Sequence, residues 1–245
     1  MTAPRVRRAT LEECAGVEGA VVVIDVLRSF TTSAVAFARG ASRIFAVDSL
    51  DAAWRAASRH PGALMVGAFP GGAPIPEFDL PNSPAHVDAA AVAGRTIVLL
   101  TAGGARGLIA ARRASALVAA SLVCADATVR HLRALGVPEV TLVVTGMYVD
   151  RDGDEDIACA DLLEARLLGG DPEVDPYAAR VRDSDFGRRF AAGSDPSLPP
   201  ADLDLCAVAD RFAFAMPVRR EEDGDAVEIL RADVAPRPGA ARSTR

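Results

Sequence analysis

Six short apolar runs, most of which do not alternate with polar residues, constrain this chain more than any other feature. They are VVVID at 21–25, IFAV at 44–47, LMVG at 64–67, TIVLL at 96–100, ALVAA at 116–120 and VTLVVTG at 140–146. A strand with one face in water alternates apolar and polar residues, whereas a strand covered on both faces reads as continuous Val, Ile, Leu and Ala. Ala-rich stretches of helical period separate the runs. The pattern predicts an α/β fold with a largely parallel sheet flanked by helices. Asp48 and Ser49 can cap a helix over 50–59, Ser121 one over 122–135, and Asp152 or Asp154 one that runs to about Leu168. A helical piece near 176–191 interrupts a Pro-, Gly- and Asp-rich stretch, and FAFAMPV at 212–218 and VEIL at 227–230 read as late strands. Residues 1–234 are read as a single α/β domain, a small C-terminal lobe from about 169 being left open, and 235–245 as a disordered tail.

Composition removes whole classes of chemistry. All 27 basic residues are arginine, so a Walker-type phosphate loop, a Schiff-base enzyme and phosphatases that use a lysine beside the phosphate are disfavoured. Arginine can still clamp a phosphate through its planar fork of donors. A net charge of -6 and no basic block argue against nucleic acid as a partner. No apolar run is long enough for a membrane span, and the N-terminus lacks the core of a secretory signal, so the expected setting is the cytoplasm, with no membrane partner. Cys14, Cys124, Cys159 and Cys206 form no C-x-x-C pair and read as free thiols. What remains is a small-molecule ligand; association into a homo-oligomer stays open.

Four constellations could meet such a ligand. Asp25 ends a buried strand and Arg28 follows at the turn into a helix with Thr31 and Thr32, where open α/β sheets place ligands; an Asp–Arg turn pair at a helix cap fits the spacing equally. In Gly67 to Pro84, a segment too rich in Pro and Gly for regular structure, FDLPNSP offers Asp79, Asn82 and Ser83, with Ser83 also an N-cap before Pro84. LLTAGGARGL carries Thr101, Gly104 and Arg106 across a strand, a turn and a helix, without the glycine spacing of a dinucleotide site. The acidic run from Asp150 to Asp156 opens a helix, which suits the helix dipole as well as a hard cation; Cys159 lies one turn along on the face of Glu155 and Asp156.

Taken in this order the four resemble the 2-phosphosulfolactate phosphatases, whose Asp-x-x-Arg strand end, FDLxNSP segment, Thr/Gly-rich turn with Arg and Glu-Asp-x-x-Cys-Ala helix are similar, over roughly 19–165, with DRFAFAMPV at 210–218 like that family's C-terminal signature. The resemblance implies a magnesium-dependent phosphatase acting on (2R)-2-phospho-3-sulfolactate or a similar 2-hydroxy-acid phosphate. The positions it picks out are Asp25, Arg28, Asp79, Asn82, Ser83, Thr101, Gly104, Arg106, Glu155, Asp156 and Cys159. Asp25, Glu155 and Asp156 are the expected magnesium ligands, Asp25, Arg28, Arg106 and Cys159 the expected catalytic group, and Asp79, Asn82, Ser83, Thr101 and Gly104 the expected substrate contacts. Ala68 stands where the family often has Glu, Ala105 where Thr is common and Cys124 where Asn is usual. A non-catalytic protein that binds an anionic metabolite on the same fold is the alternative.

Overall fold

The computed structural model describes residues 3–146, 151–221 and 224–235. The runs become strands: β1 (Arg5–Thr10), β2 (Gly19–Ile24), β3 (Arg43–Val47), β4 (Leu64–Gly67), β5 (Leu80–Pro81), β6 (Thr96–Leu100), β7 (Ala114–Ala120), β8 (Glu139–Val144), β9 (Phe214–Arg220), β10 (Val227–Ile229) and β11 (Ala232–Asp233). Among the described residues they alternate with nine helices: α1 (Ser29–Ala38), α2 (Leu50–Arg59), α3 (Pro84–Ala89), α4 (Gly104–Ala110), α5 (Ala125–Leu135), α6 (Asp154–Leu167), α7 (Asp175–Asp183), α8 (Asp185–Ala192) and α9 (Pro200–Cys206).

The strand order is β1-β8-β2-β7-β9-β10-β3-β6-β4-β5, with β11 beside β9. Two parallel sets, β1-β8-β2-β7 and β3-β6-β4-β5, are joined by three successive antiparallel pairings, β7 to β9, β9 to β10 and β10 to β3. β9 serves both sets, pairing Met216 and Pro217 with β7 and Val218 to Arg220 with β10. The late strands from the region where a C-terminal lobe was left open therefore stand at the middle of the path.

Continuous apolar strands result because each is covered twice. Val21 and Val23 of β2, Ile44 and Ala46 of β3, Ile97 and Leu99 of β6 and Leu117 and Ala119 of β7 share one core with α1 and α4. The alternate residues Ala20, Val22 and Ile24 face a second core under α5, α6, α8 and α9, and Val98 and Leu100 a third under α2. α1 lies inside this arrangement, buried from Ser29 to Phe37, which is why its sequence SFTTSAVAFA shows no polar face.

Local signals were met unevenly. Ser49 accepts from the amide of Ala52 and caps α2 as expected. Ser121 caps nothing: a short 3-10 turn, Leu122–Cys124, precedes α5, and the Ser121 hydroxyl sits 2.6 Å from Thr31 Oγ1 in the core. α6 begins after Gly153 in the left-handed conformation, with Asp152 accepting from the amide of Asp154 at 3.1 Å. The helical piece near 176–191 is two helices parted at Ser184, whose hydroxyl caps α8. The proposed tail from 235 lies, but for Ala235, outside the described residues.

Candidate functional site

β2 ends at Ile24, and the Asp25 carboxylate then ties two helix starts together. The amide of Ser29 donates to Oδ1 at 3.0 Å, while the Ser29 hydroxyl at 2.6 Å and the amide of Gly104 at 3.0 Å donate to Oδ2. Position 104 must be glycine for this approach, since a Cβ would lie 2.9 Å from Asp25 Oδ2 and 2.8 Å from Phe30 Cζ. Asp156, in the first turn of α6, is the counterpart on the other side. Its Oδ1 accepts from the amide of Val26 at 2.8 Å, and its Oδ2 from the amides of Thr145 and Gly146 at 3.1 and 2.7 Å and from the Thr145 hydroxyl at 3.2 Å. One side chain thus binds the ends of β2 and β8 to α6. The neighbouring Glu155 is buried, and its Oε2 has no hydrogen-bond partner.

These carboxylates line one cleft, open to solvent, with Arg28, Ser29, Asn82, Thr101, Thr145, Gly146, Arg151 and Phe186, and with the loop from Ala68 to Gly72 along one wall. Although the two parallel sets run in opposite senses along the strand path, the carboxyl ends of β2, β4, β6 and β8 all reach it. Arg28, at the start of α1, is buried and bonded through Nη1 to Asp202 at 2.6 Å. Arg151 lies 4.4 Å from the centroid of the Phe186 ring. The Asn82 amide nitrogen donates to Ser29 Oγ at 3.3 Å, leaving its buried carbonyl oxygen without a hydrogen-bond partner.

Burial and crowding push all three carboxyls up. Asp156 is raised well above the ordinary range, first by burial and then by the charges of Glu155 and Asp25. Burial pushes Glu155 up to about 7, and raises Asp25 against its bonds from Ser29 and Gly104 and against the Arg151 charge. Three carboxylates can share so dry a space as anions only if positive charge joins them. A hard cation fits the donors present, because the partnerless oxygens of Glu155 and Asn82 line the same cleft. Among the described residues no three His, Cys, Asp or Glu side chains are grouped to hold an ion by themselves. The fit is therefore to an ion that keeps waters or substrate oxygens beside one or two carboxylates, the habit of magnesium.

The structure thus brings Asp25, Arg28, Asn82, Thr101, Glu155 and Asp156 to one place and leaves the remaining expected residues away from it. Gly104 stands behind Asp25 as backbone. Arg106 is exposed on α4, because Gly104, Ala105, Gly107 and Leu108 turn to the core and leave position 106 the opposite face. Asp79 is exposed and accepts from the amide of Met65 at 2.7 Å, fastening the loop to β4. Ser83 caps α3 and donates to Asp202, and Cys159 lies in the core among leucines, where burial raises its thiol. Residue patterning missed Arg151, Thr145, Gly146 and Asp202. Thr145-Gly146 carried a usable signal, as polar and small residues at the end of a buried strand like Asp25 and Thr101; Arg151 was hidden in an acidic run, and Asp202 had no signal at all.

A family profile described as 2-phosphosulpholactate phosphatase matches residues 7–185 of the chain. The chain belongs to that family. Among relatives named "Probable 2-phosphosulfolactate phosphatase", the protein of Thermus thermophilus is 32% identical over 233 residues, covering 86% of this chain and 92% of its own. That of Deinococcus radiodurans is 38% identical over 162 residues, covering 64% of this chain and 65% of its own length, and that of Bacillus subtilis 25% identical over 208 residues, covering 84% and 90%. The family name describes phosphoric monoester hydrolases. Of the three departures noted in the sequence, Ala68 lines the cleft of this family member, whereas Ala105 and Cys124 are fully buried away from it.

Proposed function

We propose that this chain is a magnesium-dependent phosphatase of a small 2-hydroxy-acid phosphate monoester, (2R)-2-phospho-3-sulfolactate, releasing 3-sulfolactate and phosphate in the cytoplasm. The observation that carries the reading is the convergence of Asp25, Glu155 and Asp156 with Arg28 and Arg151 in one cleft at the strand ends. Of the expected ligands Asp25, Glu155 and Asp156, one or two would hold the ion, Glu155 first through its partnerless Oε2, with the others close by. Bound there, magnesium would supply positive charge to offset what develops on the phosphate during cleavage. Arg28 and Arg151 bind the ester's anionic groups, and a substrate with two of them uses both guanidinium planes. Asn82 and the loop from Ala68 to Gly72 line the same space.

Phosphate release from 2-phospho-3-sulfolactate and from a panel of 2-hydroxy-acid phosphates, with magnesium and after chelation, tests the whole reading. Turnover that needs a divalent cation and is lost in EDTA is expected; full activity in excess EDTA would falsify the metal assignment. The presence of Ala68 in the cleft wall is the one observation favouring a protein that binds the ester without turning it over. Saturable binding of the ester with no phosphate release under any divalent ion would establish that alternative.

A further inference from the structure

Asp202 belongs to α9, is fully buried, and is not among the residues that line the cleft. Its two oxygens divide two tasks. Oδ2 accepts from Arg28 Nη1, and Oδ1 accepts from Ser83 Oγ at 2.6 Å and from the amide of Ala85 at 2.9 Å. Arg28 Nη1 also donates to the carbonyl of Ser197 at 3.1 Å, and the guanidinium carbon lies 5.1 Å from the centroid of the Phe190 ring. Both hydrogen bonds that Arg28 makes to described residues thus leave from one nitrogen. Nη2 and Nε, the rest of the planar fork, have no hydrogen-bonding partner among those residues. The wall beside Nη2 is bare backbone: at Gly72, with φ +103°, a Cβ would stand 3.2 Å from Nη2 and 2.7 Å from Leu198 Cδ2.

A guanidinium this buried needs a fixed anion, and the place of that anion decides which edge remains for a ligand. We propose that Asp202 is a positioning residue for Arg28. It holds Nη1 from behind so that the free edge of the fork meets the substrate's anionic group. Through Ser83 and Ala85 it also anchors the start of α3, directly after Asn82, so that two walls of the cleft are set from one carboxylate. This rests on the reading above that Arg28 binds the ester. Asp202 lies beyond the span that matches the family profile, 7–185, on a helix that packs against α3 and α8.

Steady-state kinetics on 2-phospho-3-sulfolactate with magnesium, for Arg28→Ala, Asp202→Asn and the double variant, test the assignment, with thermal melts run in parallel. Asp202→Asn is expected to lower kcat/KM roughly tenfold, with the same division between KM and kcat as Arg28→Ala. The double variant should be no worse in kcat/KM than Arg28→Ala, because the amide of Asp202→Asn keeps one oxygen to accept from Ser83 and Ala85 and only the anion facing the arginine is lost. It should also melt closer to the wild type than Asp202→Asn does, since no buried guanidinium is left without its anion. Arg28→Ala at wild-type kinetics overturns the anion-binding reading and this proposal with it. An impaired Arg28→Ala beside a fully active Asp202→Asn, or losses that multiply in the double variant, overturn the proposal alone. Should Asp202→Asn fail to fold, comparison of the double variant with Arg28→Ala still decides it.

Discussion

At the scale of single residues, function rests on charges held where water is scarce, and the arginines separate cleanly. Arg28 and Arg151 line the cleft, so replacing either with Ala should remove a charge-assisted contact of about 1.5–3 kcal/mol and lower kcat/KM by roughly one to two orders of magnitude. Arg106, exposed on α4, should tolerate the same change with kinetics near wild type. Glu155 gives the sharper test. Its carboxyl holds a proton to about pH 7 in the folded protein, against an ordinary value of 4.5. Between these values the folded state binds more protons than the unfolded one, so this contribution to stability is complete below pH 4.5 and disappears as pH rises through about 7. Asp88 and Glu228, whose carboxyls are lowered by Arg39 and by burial-opposing bonds from Arg43 and Arg219, act below that window. Melts of the metal-free protein should therefore move down from pH 5 to pH 8, and Glu155→Gln should flatten the slope, raise the melting temperature at pH 8 and abolish turnover. A slope unchanged in Glu155→Gln would remove Glu155 as its source.

At the scale of elements, the site is where secondary structures end, and short polar links hold the ends together. Asp156 accepts on both oxygens, from Val26 on one and from Thr145 and Gly146 on the other. An amide at this position can accept on only one side, so Asp156→Asn should cost about 1–3 kcal/mol and loosen the ends of β2 and β8. Faster hydrogen exchange at the amides of Val26, Thr145 and Gly146 is the measurement; unchanged protection there would mean that packing alone fixes these ends. The element pattern was legible wherever burial on two faces left a continuous apolar run. It was not legible for β1, whose RVRRAT exposes arginines as an edge strand paired only with β8, nor for α9, seven residues between loops. Ser121 shows why caps mislead: the hydroxyl found a buried partner in Thr31 instead of the helix backbone.

For the whole molecule, the proposed cation would offset the charge that the cleft carboxyls take on once they lose their protons. Magnesium should therefore raise the melting temperature, by about 2.7 kcal/mol of added stability at a hundredfold excess over its Kd. The gain should be larger at pH 8 than at pH 5, because protons on Glu155 and its neighbours must leave before oxygen can ligate. Magnesium melts that are identical with and without the ion at pH 8 would count against Asp25, Glu155 and Asp156 as its ligands. The two parallel sets make this possible by presenting their carboxyl ends to one cleft across a shared core of α1 and α4.

The sequence by itself determined the α/β class, the two-sided burial of the strands and most of the residues at the strand ends, because burial on both faces and strand-end chemistry are local properties of contiguous residues. It also determined that no lysine is available to meet an anion. Which arginines stand at the cleft was decided only by tertiary structure: the helical phase of α4 turns position 106 to the surface, and Arg151 lies over Phe186, 35 residues further on, among the cleft's lining residues. The reversal between the two parallel sets was equally hidden, since it depends on β9 and β10 returning from the C-terminal segment to the middle of the path. Asp202 was the least legible of all, because a carboxylate on a short helix acquires its meaning only when packing across 174 positions of chain brings it to Arg28.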